Sequence, residues 1–409
     1  MEGEERAEVP VTRTGCCIVG GGPAGALLAL LLARKGVPVT LLEAHRDFDR
    51  EFRGDTLHSS VMEVLEQVGL AEPLLRLPHT RLRRGVIRTP DGRSVVLADF
   101  SRLRARHPYV VLIPQAAFLE LVTAHAARYP EFRLEMGARV WALVEEDGVV
   151  RGVRWQRGEA WGEVRAPLVV AADGRFSTVR KLAGMQPVST SLPVDVLWFR
   201  LPRCPGDAGE EGVLARAGRG GFLLFLDRGE HWQVGYVIPK DGYRAIREAG
   251  IGAFRRAVAA LAPEMAERLE TVREWKDVSF LSVESSRLER WHRPGLLLIG
   301  DAAHVMSPAG GVGINYAIHD AVEAANVLAG PLGEGRVTEA HLAEVQRRRE
   351  RPTRLIQAVQ AVAVRRIFRA VGGEGFCLPL ALRLPGVRSL FPRLAARVIG
   401  WGFGAARVE

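Results

Sequence analysis

Three acidic residues mark the places where this chain could do chemistry. Glu43 closes the apolar run Val37 to Leu42. Asp173 follows Leu168 to Ala172 and is itself followed by Gly174, Ser177 and Arg180. Asp301 follows Leu296 to Gly300. A carboxylate at the tip of a strand can accept hydrogen bonds from the hydroxyls of a ligand laid across it. Two glycine-rich stretches accompany these acids. Gly20-Gly21-Gly22-Pro23-Ala24-Gly25 fits G-x-G-x-x-G, and Pro308-Ala309-Gly310-Gly311-Val312-Gly313-Ile314-Asn315 follows Asp301.

The first glycine stretch needs particular elements around it. Cys16 to Val19 has the length of a buried strand, and Ala26 to Arg34 reads as a helix stopped by Gly36. With Glu43 the unit becomes strand, glycine turn, helix, strand, acid. Gly20 permits the tight turn, Gly22 lets a pyrophosphate approach the backbone, and Gly25 lets the helix pack close to the strand. The free N–H groups and the dipole at the helix start favour phosphate charge. Glu43 accepts from a ribose and repels a 2′-phosphate, so this site is expected to hold an adenine dinucleotide other than NADP. The motif alone does not separate NAD from FAD.

The second glycine-rich helix start, so far along the chain, suits a long cofactor lying extended. There Asp301 accepts from ribityl hydroxyls. The Gly310 to Gly313 backbone donates to the edge of a flavin ring, where negative charge gathers on reduction.

Read together, the three stretches resemble the single-component FAD-dependent aromatic hydroxylases, the p-hydroxybenzoate hydroxylase-like flavoprotein monooxygenases. The order matches over roughly residues 15 to 355: Gly20 to Gly25, then Asp173-Gly174, then Gly300-Asp301. The resemblance implies an α/β fold. A Rossmann-type FAD-binding domain with a parallel sheet takes 12–75, 105–185 and 286–340. An inserted β-sheet-rich substrate domain takes 76–104 and 186–285, and a C-terminal helical region takes 341–409. It also implies non-covalent FAD, with Glu43 and Ala44 at the adenosine ribose and Asp301 at the ribityl chain. Arg53 and Gln115 fall among the FAD-contacting side chains. Asp173, Gly174 and Arg180 serve both the FAD pyrophosphate and NAD(P)H, the co-substrate.

The implied reaction is hydroxylation of an aromatic or polyketide-like molecule by NAD(P)H and O2 through a flavin C4a-hydroperoxide. The cofactor carries that chemistry. The protein must exclude water, orient the ring and, for a phenol, deprotonate it. Tyr236, Arg200 and His58 are the candidates for that base. His304 is expected to pack or cap beside the third motif, and His231 to be solvated in a hairpin.

Composition narrows the alternatives. The chain has 409 residues, 47% hydrophobic and 25% charged, ordinary for a globular protein of about two or three domains. No cleavable signal peptide is visible, and the densest apolar run, Ala24 to Ala33, is too short to span a bilayer. A cytoplasmic protein is expected. The four cysteines Cys16, Cys17, Cys204 and Cys377 form neither a disulfide framework nor a zinc pattern, so no metal site is expected. Net charge is +9. From His341 onward there are thirteen arginines against four glutamates, which accounts for all of the excess.

A nucleic-acid role would leave the flavin motifs idle. A halogenase would carry W-x-W-x-I-P, but Val234 to Pro239 reads Val-Gly-Tyr-Val-Ile-Pro, and no lysine lies between Lys35 and Lys181. A reductase or epoxidase of an isoprenoid lipid shares the FAD motifs and stays open. The basic stretch from Arg347 to Arg369 reads as an amphipathic helix with a solvated arginine face, or as a landing surface for an anionic membrane, a carrier protein or a carboxylated substrate.

Other expected elements fix the frame. Ser60-x-x-Glu63 reads as a capping box for a helix through Val68. Ile87 to Leu97 reads as a hairpin over Pro90-Asp91-Gly92, and Pro114 to Arg128 as a helix. Leu134 to Glu145 and Val149 to Trp155 read as two strands. Phe222 to Leu226 and Trp232 to Ile238 form a hairpin, Ile246 to Leu269 a helix, and Val278 to Arg287 a strand.

Overall fold

Cys16–Val19 is fully buried and sits in the middle of a six-stranded sheet. In the computed structural model the described residues are 10–49, 56–89, 92–204, 207, 213–218, 221–369 and 385–409. The sheet order is His292–Arg293, Leu296–Leu298, Leu168–Ala171, Cys16–Val19, Val39–Glu43 and Phe132–Met136. All neighbours are parallel except the first pair. Parallel strands covered on both faces read as unbroken apolar runs, as these do. Alternate residues serve opposite layers. Ile18 and Leu41 meet the helices Pro23–Arg34, Gln115–Ala126 and Gly313–Gly333. Cys17 and Leu42 meet a small four-stranded sheet built from Val11–Arg13, Ala160–Arg165, Val149–Arg157 and Arg139–Glu146. Burial pushes the Cys17 thiol up to about 12, which suits a packing role.

The second large sheet has eight strands in the order His304–Val305, Ser279–Arg287, Val188–Pro202, His231–Pro239, Gly221–Asp227, Val213–Gly218, Arg84–Arg88 and Ser94–Asp99. Its period-two pattern makes two apolar faces. Leu197, Phe199, Trp232 and Val234 face the helix Ile251–Leu261. Val194, Val196, Trp198 and Val237 face the other way, into a cluster with Leu112, Val364 and Ala396.

Several expected elements are corrected. Leu134 to Glu145 is two strands in two sheets, because Gly137 turns the chain between them. Ile246 to Leu269 is broken at Gly250 and Pro263 into short helices. The helix Ser59–Gln67 begins two residues earlier than a Ser60 cap requires, and no side chain caps it. Ser60 lies inside its first turn and is bound by His319. Thr80–Leu82 does not join the eight-stranded sheet. It pairs with Val110–Leu112, which also holds Thr56–Leu57.

The helix Glu339–Arg369 is fastened by a stripe of glutamines on one face. Gln346 holds the Glu289 carbonyl and accepts from Trp291 N–H, and Gln357 donates to the carbonyls of Ser286 and Val305. The basic cluster expected here divides. Arg347 and Arg348 pair with Glu344, Arg354 pairs with Glu350, and Arg349 is fully buried. After the helix Pro385–Gly400, the residues from 401 onward run back across the molecule. Phe403 N–H donates to the Tyr316 hydroxyl, Ala406 N–H to His319, Val408 N–H to Gln67 Oε1, and Glu409 N–H to Asn326 Oδ1. Among the described residues no helix is long and apolar enough to cross a membrane.

Candidate active site

The three glycines of the first motif meet three different surroundings. Gly20 has φ of 104°, and a Cβ there would lie 2.5 Å from the Ala172 carbonyl oxygen. A Cβ on Gly25 would lie 2.0 Å from the Gly20 oxygen. Both positions are closed to any side chain. A Cβ on Gly22 would meet nothing within 4 Å, so this face of the turn is open. Gly22 caps the helix Pro23–Arg34 without any side-chain bond, and Pro23 gives up no N–H the helix needs. The amides of Ala24 and Gly25 belong to the first turn, where an anion is favoured.

Glu43 is buried beside this turn. Its Oε2 accepts from Gly21 N–H at 2.8 Å, and its Oε1 accepts from His45 N–H at 2.8 Å and lies 2.8 Å from His45 Nδ1. The carboxylate thus braces the glycine turn. Ala44 follows it, part-exposed at the strand tip.

The second and third motifs converge on the first. Gly20 abuts Ala172 and Asp173. Gly300 is wedged between helices, with Ala317 Cβ 3.2 Å and Ala24 Cβ 3.4 Å from its would-be Cβ. Asp173 is turned onto the start of the short helix Thr178–Leu182, where it takes Val179 N–H at 3.0 Å and the Ser177 hydroxyl. Burial raises its pKa against these bonds. The Arg180 guanidinium is also committed. It donates to the carbonyls of Arg175 at 2.8 Å, Ala302 at 2.9 Å and Asp301 at 3.5 Å. Arg180, expected at a pyrophosphate, clamps the Asp173-Gly174 loop to the Gly300-Asp301 loop. Asp301 itself stays part-exposed.

The loop after Asp301 has an unusual backbone. Gly310 and Gly311 are successive left-handed residues, with φ of 78° and 62°. This breaks the helical turn before Gly313–Gly333, and the Gly311 N–H turns back to donate to the Pro308 carbonyl at 3.0 Å. Thr56 Oγ1 donates to the Gly311 carbonyl at 2.9 Å, and Asn315 Nδ2 donates to the same carbonyl at 3.1 Å and to Thr56 O at 2.9 Å. Asn315 Oδ1 accepts from His58 N–H at 2.8 Å. Expected to face cofactor, the Asn315 side chain is therefore spent on holding the loop. Pro308 starts the loop, and Ile314 is buried beneath it.

Three residues that the sequence reading did not single out for the site, Asp320, Arg349 and Gln360, hold it together. Asp320 lies fully buried on the helix Gly313–Gly333. Its Oδ2 accepts from Gly300 N–H at 3.0 Å and from His304 Nε2–H at 2.6 Å, and its Oδ1 accepts from Arg349 Nε–H at 2.8 Å. Burial alone would raise its pKa, but His304 and Arg349 hold it down to about 2. Arg349 also donates to the Gly404 carbonyl at 2.7 Å. Gln360 Nε2 donates to the carbonyls of Ser307 and Ala309, each at 2.8 Å, and fixes the glycine loop from the far side. A lone Asp inside the apolar run Ala317 to Val322 was the available signal for Asp320. His304 packs on Trp291 with ring centres 4.8 Å apart, as a packing or capping residue would.

The candidate bases are dispersed. Tyr236 packs against Phe254 on the face of the large sheet turned away from the glycine loops, and burial raises its pKa. Arg200 is exposed on its strand opposite Gln233. His58 is buried, donates from Nδ1 to the Ile399 carbonyl at 2.8 Å, and has its pKa lowered by burial to about 4. It is neutral at pH 7 and ties two segments together. Gln115 is part-buried at the start of its helix, and Arg53 lies outside the described residues. Tyr236→Phe is accordingly expected to leave substrate-dependent turnover unchanged in steady-state assays. Loss of a true general base would cost about 10²-fold or more.

A family model described as the FAD binding domain matches residues 13–359. Over 403 residues, 97% of this chain and 95% of the relative, the sequence is 37% identical to the 6-methylpretetramide 4-monooxygenase of Streptomyces rimosus. The chain belongs to the FAD-binding monooxygenase family. The fold is shared with the OxyS anhydrotetracycline hydroxylase of Streptomyces rimosus, at 23% identity and a TM-score of 0.72 over 95% of this chain and 76% of that one. It is shared equally with the flavin-dependent brominase Bmp2, at 18% identity and 0.75 over 95% and 94%. Fold alone therefore does not separate hydroxylation from halogenation, and the sequence relative does. The site of this monooxygenase fits FAD. The open face at Gly22, the helix start behind it and Glu43 at the next strand tip are the groups that would hold a dinucleotide.

Proposed function

We propose that this monooxygenase hydroxylates a fused-ring aromatic, polyketide-like molecule in the cytoplasm, with NAD(P)H and O2 as co-substrates. The observation that carries the reading is the apolar inner face of the eight-stranded sheet. Val194, Val196, Trp198, Phe222 and Val237 form it, and Ala309 of the flavin loop packs against the same cluster. A flat apolar ring system held there would lie between the sheet and the loop. The named substrate of the 37% identical relative, 6-methylpretetramide, supports the same class.

Bound FAD, reduced by NAD(P)H, supplies the oxygen-activating chemistry. The chain supplies the setting. The helix start at Gly22 to Gly25 holds the diphosphate, Glu43 a ribose, and Asp301 the polyol chain. The peptides of Gly310 to Gly313 offer donors where charge develops on the ring. The apolar sheet keeps water from the reacting atoms, and the substrate is oriented by its shape against that wall.

The test supplies labelled O2, NAD(P)H and a panel of aromatic polyketides, isoprenoid quinones and simple phenols. The expected result is NAD(P)H consumption stimulated by the polyketides, with one labelled oxygen atom in the product and no dependence on halide. Equal turnover without O2 would favour a reductase, and stimulation by isoprenoids alone would replace the substrate class.

A further inference from the structure

The helix Glu339–Arg369 has two unlike faces. Its inner face carries Ile356, Gln357, Gln360 and Val364 against the core. Its outer face carries Leu355, Val359 and Val362, which are 42%, 44% and 53% exposed. Their spacing of three to four residues makes one stripe along two turns. Arg351 stands at one end of the stripe, and Arg365, Arg366 and Arg369 at the other. All four are exposed, and none pairs with a carboxylate among the described residues. No Asp or Glu occurs from Arg351 to Arg369. The helix Pro385–Gly400 repeats the pattern with no acid at all. Leu390 and Leu394 are 51% and 52% exposed, beside exposed Arg393 and Arg397.

Some exposed arginines elsewhere on this protein sit beside carboxylates, as Arg157 does with Glu135 and Arg244 with Glu248. Exposed leucine and valine flanked only by cations is a different surface, and its charge complement is an anionic one. We infer that the outer faces of these two C-terminal helices dock on an anionic lipid bilayer. A second copy of the chain is a poor occupant, since a two-fold contact would set arginine against arginine. Separate apolar side chains spaced between cations suit a fluid surface that moulds around them. Guanidinium groups then meet the phosphates while Leu355, Val359 and Val362 enter the headgroup layer. The inner faces of the same helices contribute Val364 and Ala396 to the apolar cluster beside Ala309. Docking would place lipid one helix away from that cluster. The inference does not depend on which aromatic substrate is used.

The experiment is co-sedimentation of the FAD-loaded protein with vesicles of phosphatidylglycerol and phosphatidylcholine, at low and at high salt, against vesicles of phosphatidylcholine alone. Each arginine near an anionic surface is worth about fivefold in partitioning, and salt screens it. Wild type should sediment with the anionic vesicles at low salt and be released at high salt. Replacing Arg365, Arg366 and Arg369 together by Gln should weaken binding about 10²-fold. Replacing Leu355, Val359 and Val362 together by Ser should weaken it as well. All six positions are exposed, so flavin content and NAD(P)H oxidation should match wild type and report intact folding. No sedimentation at low salt, equal binding to phosphatidylcholine alone, or binding indifferent to both sets of changes would each overturn the proposal. Capture by an acidic carrier protein without vesicle binding would also overturn it and give the face to that partner.

Discussion

Gly22→Val is expected to give a folded protein with no yellow colour. Gly22 has φ of −71° and ψ of −177°, an extended conformation open to any residue. A Cβ there meets nothing within 4 Å. The substitution therefore costs the empty protein little, about 1 kcal/mol or less for a poorer helix cap. The space it fills is the space a diphosphate needs, and the amides behind it lose their anion. Gly25→Ala is the control. Its new methyl would stand 2.0 Å from the Gly20 oxygen, so strand and helix would have to part, and this variant should lose stability as well as flavin. The measurement is flavin absorbance per protein after reconstitution with FAD, alongside circular dichroism. A Gly22→Val protein carrying a full complement of FAD would refute the placement of the diphosphate.

Arg349→Met is expected to be the most destabilising exposed-looking substitution that the sequence offers. In the sequence Arg349 sits within Gln346 to Arg351, which reads as a solvated charged face. In the fold it is the buried cation of Asp320, and the change leaves a carboxylate without its counter-ion. Breaking a buried pair from one side costs about 3–5 kcal/mol. The pH dependence follows from the direction of the Asp320 shift. Its folded pKa, about 2, lies below the ordinary aspartate value. Its ionised form therefore stabilises the native state fully above about pH 4, and this is lost as the pH falls through 2. Denaturant unfolding of wild type and Arg349→Met should show the same gap at pH 7 and pH 5, narrowing only in stronger acid. Because Asp320 also holds Gly300 N–H, the variant should bind FAD more weakly at pH 7. A gap under about 1 kcal/mol at neutral pH would mean that the pair is dispensable.

The local units were legible in the sequence, and the long-range ones were not. Strand, turn, helix and acid between Cys16 and Glu43 are adjacent, and each leaves a pattern of two or three residues that can be read directly. The apolar tips at Asp173 and Asp301 were legible for the same reason. The roles of Arg180 and Asn315 were not. Both types bind cofactor or backbone equally well, and only the fold shows which backbone carbonyls they hold. Asp320, Arg349 and Gln360 act on partners between 16 and 55 residues away. Periodicity places such residues on a helix face but says nothing of what that face meets. Tyr236 was misjudged through sheet parity. Its neighbours Gly235 and Val237 face the glycine loops, and a strand turns every second side chain away.

The residues beyond 400 bear on the order in which this protein comes into being. The peptide N–H groups of Phe403, Ala406, Val408 and Glu409 end on Tyr316, His319, Gln67 and Asn326, and the Gly404 carbonyl ends on Arg349. His58 waits in the same way for the carbonyl of Ile399, 341 positions later. A ribosome delivers the first motif early, and Cys16–Val19 can pair at once with Val39–Glu43. Its other neighbour, Leu168–Ala171, comes much later. The Arg349 arm of the Asp320 hub is complete only once the Gly404 carbonyl has left the exit tunnel. A nascent chain stalled before Ile399 would carry the nucleotide-binding motif without the His58 and Arg349 contacts to Ile399 and Gly404.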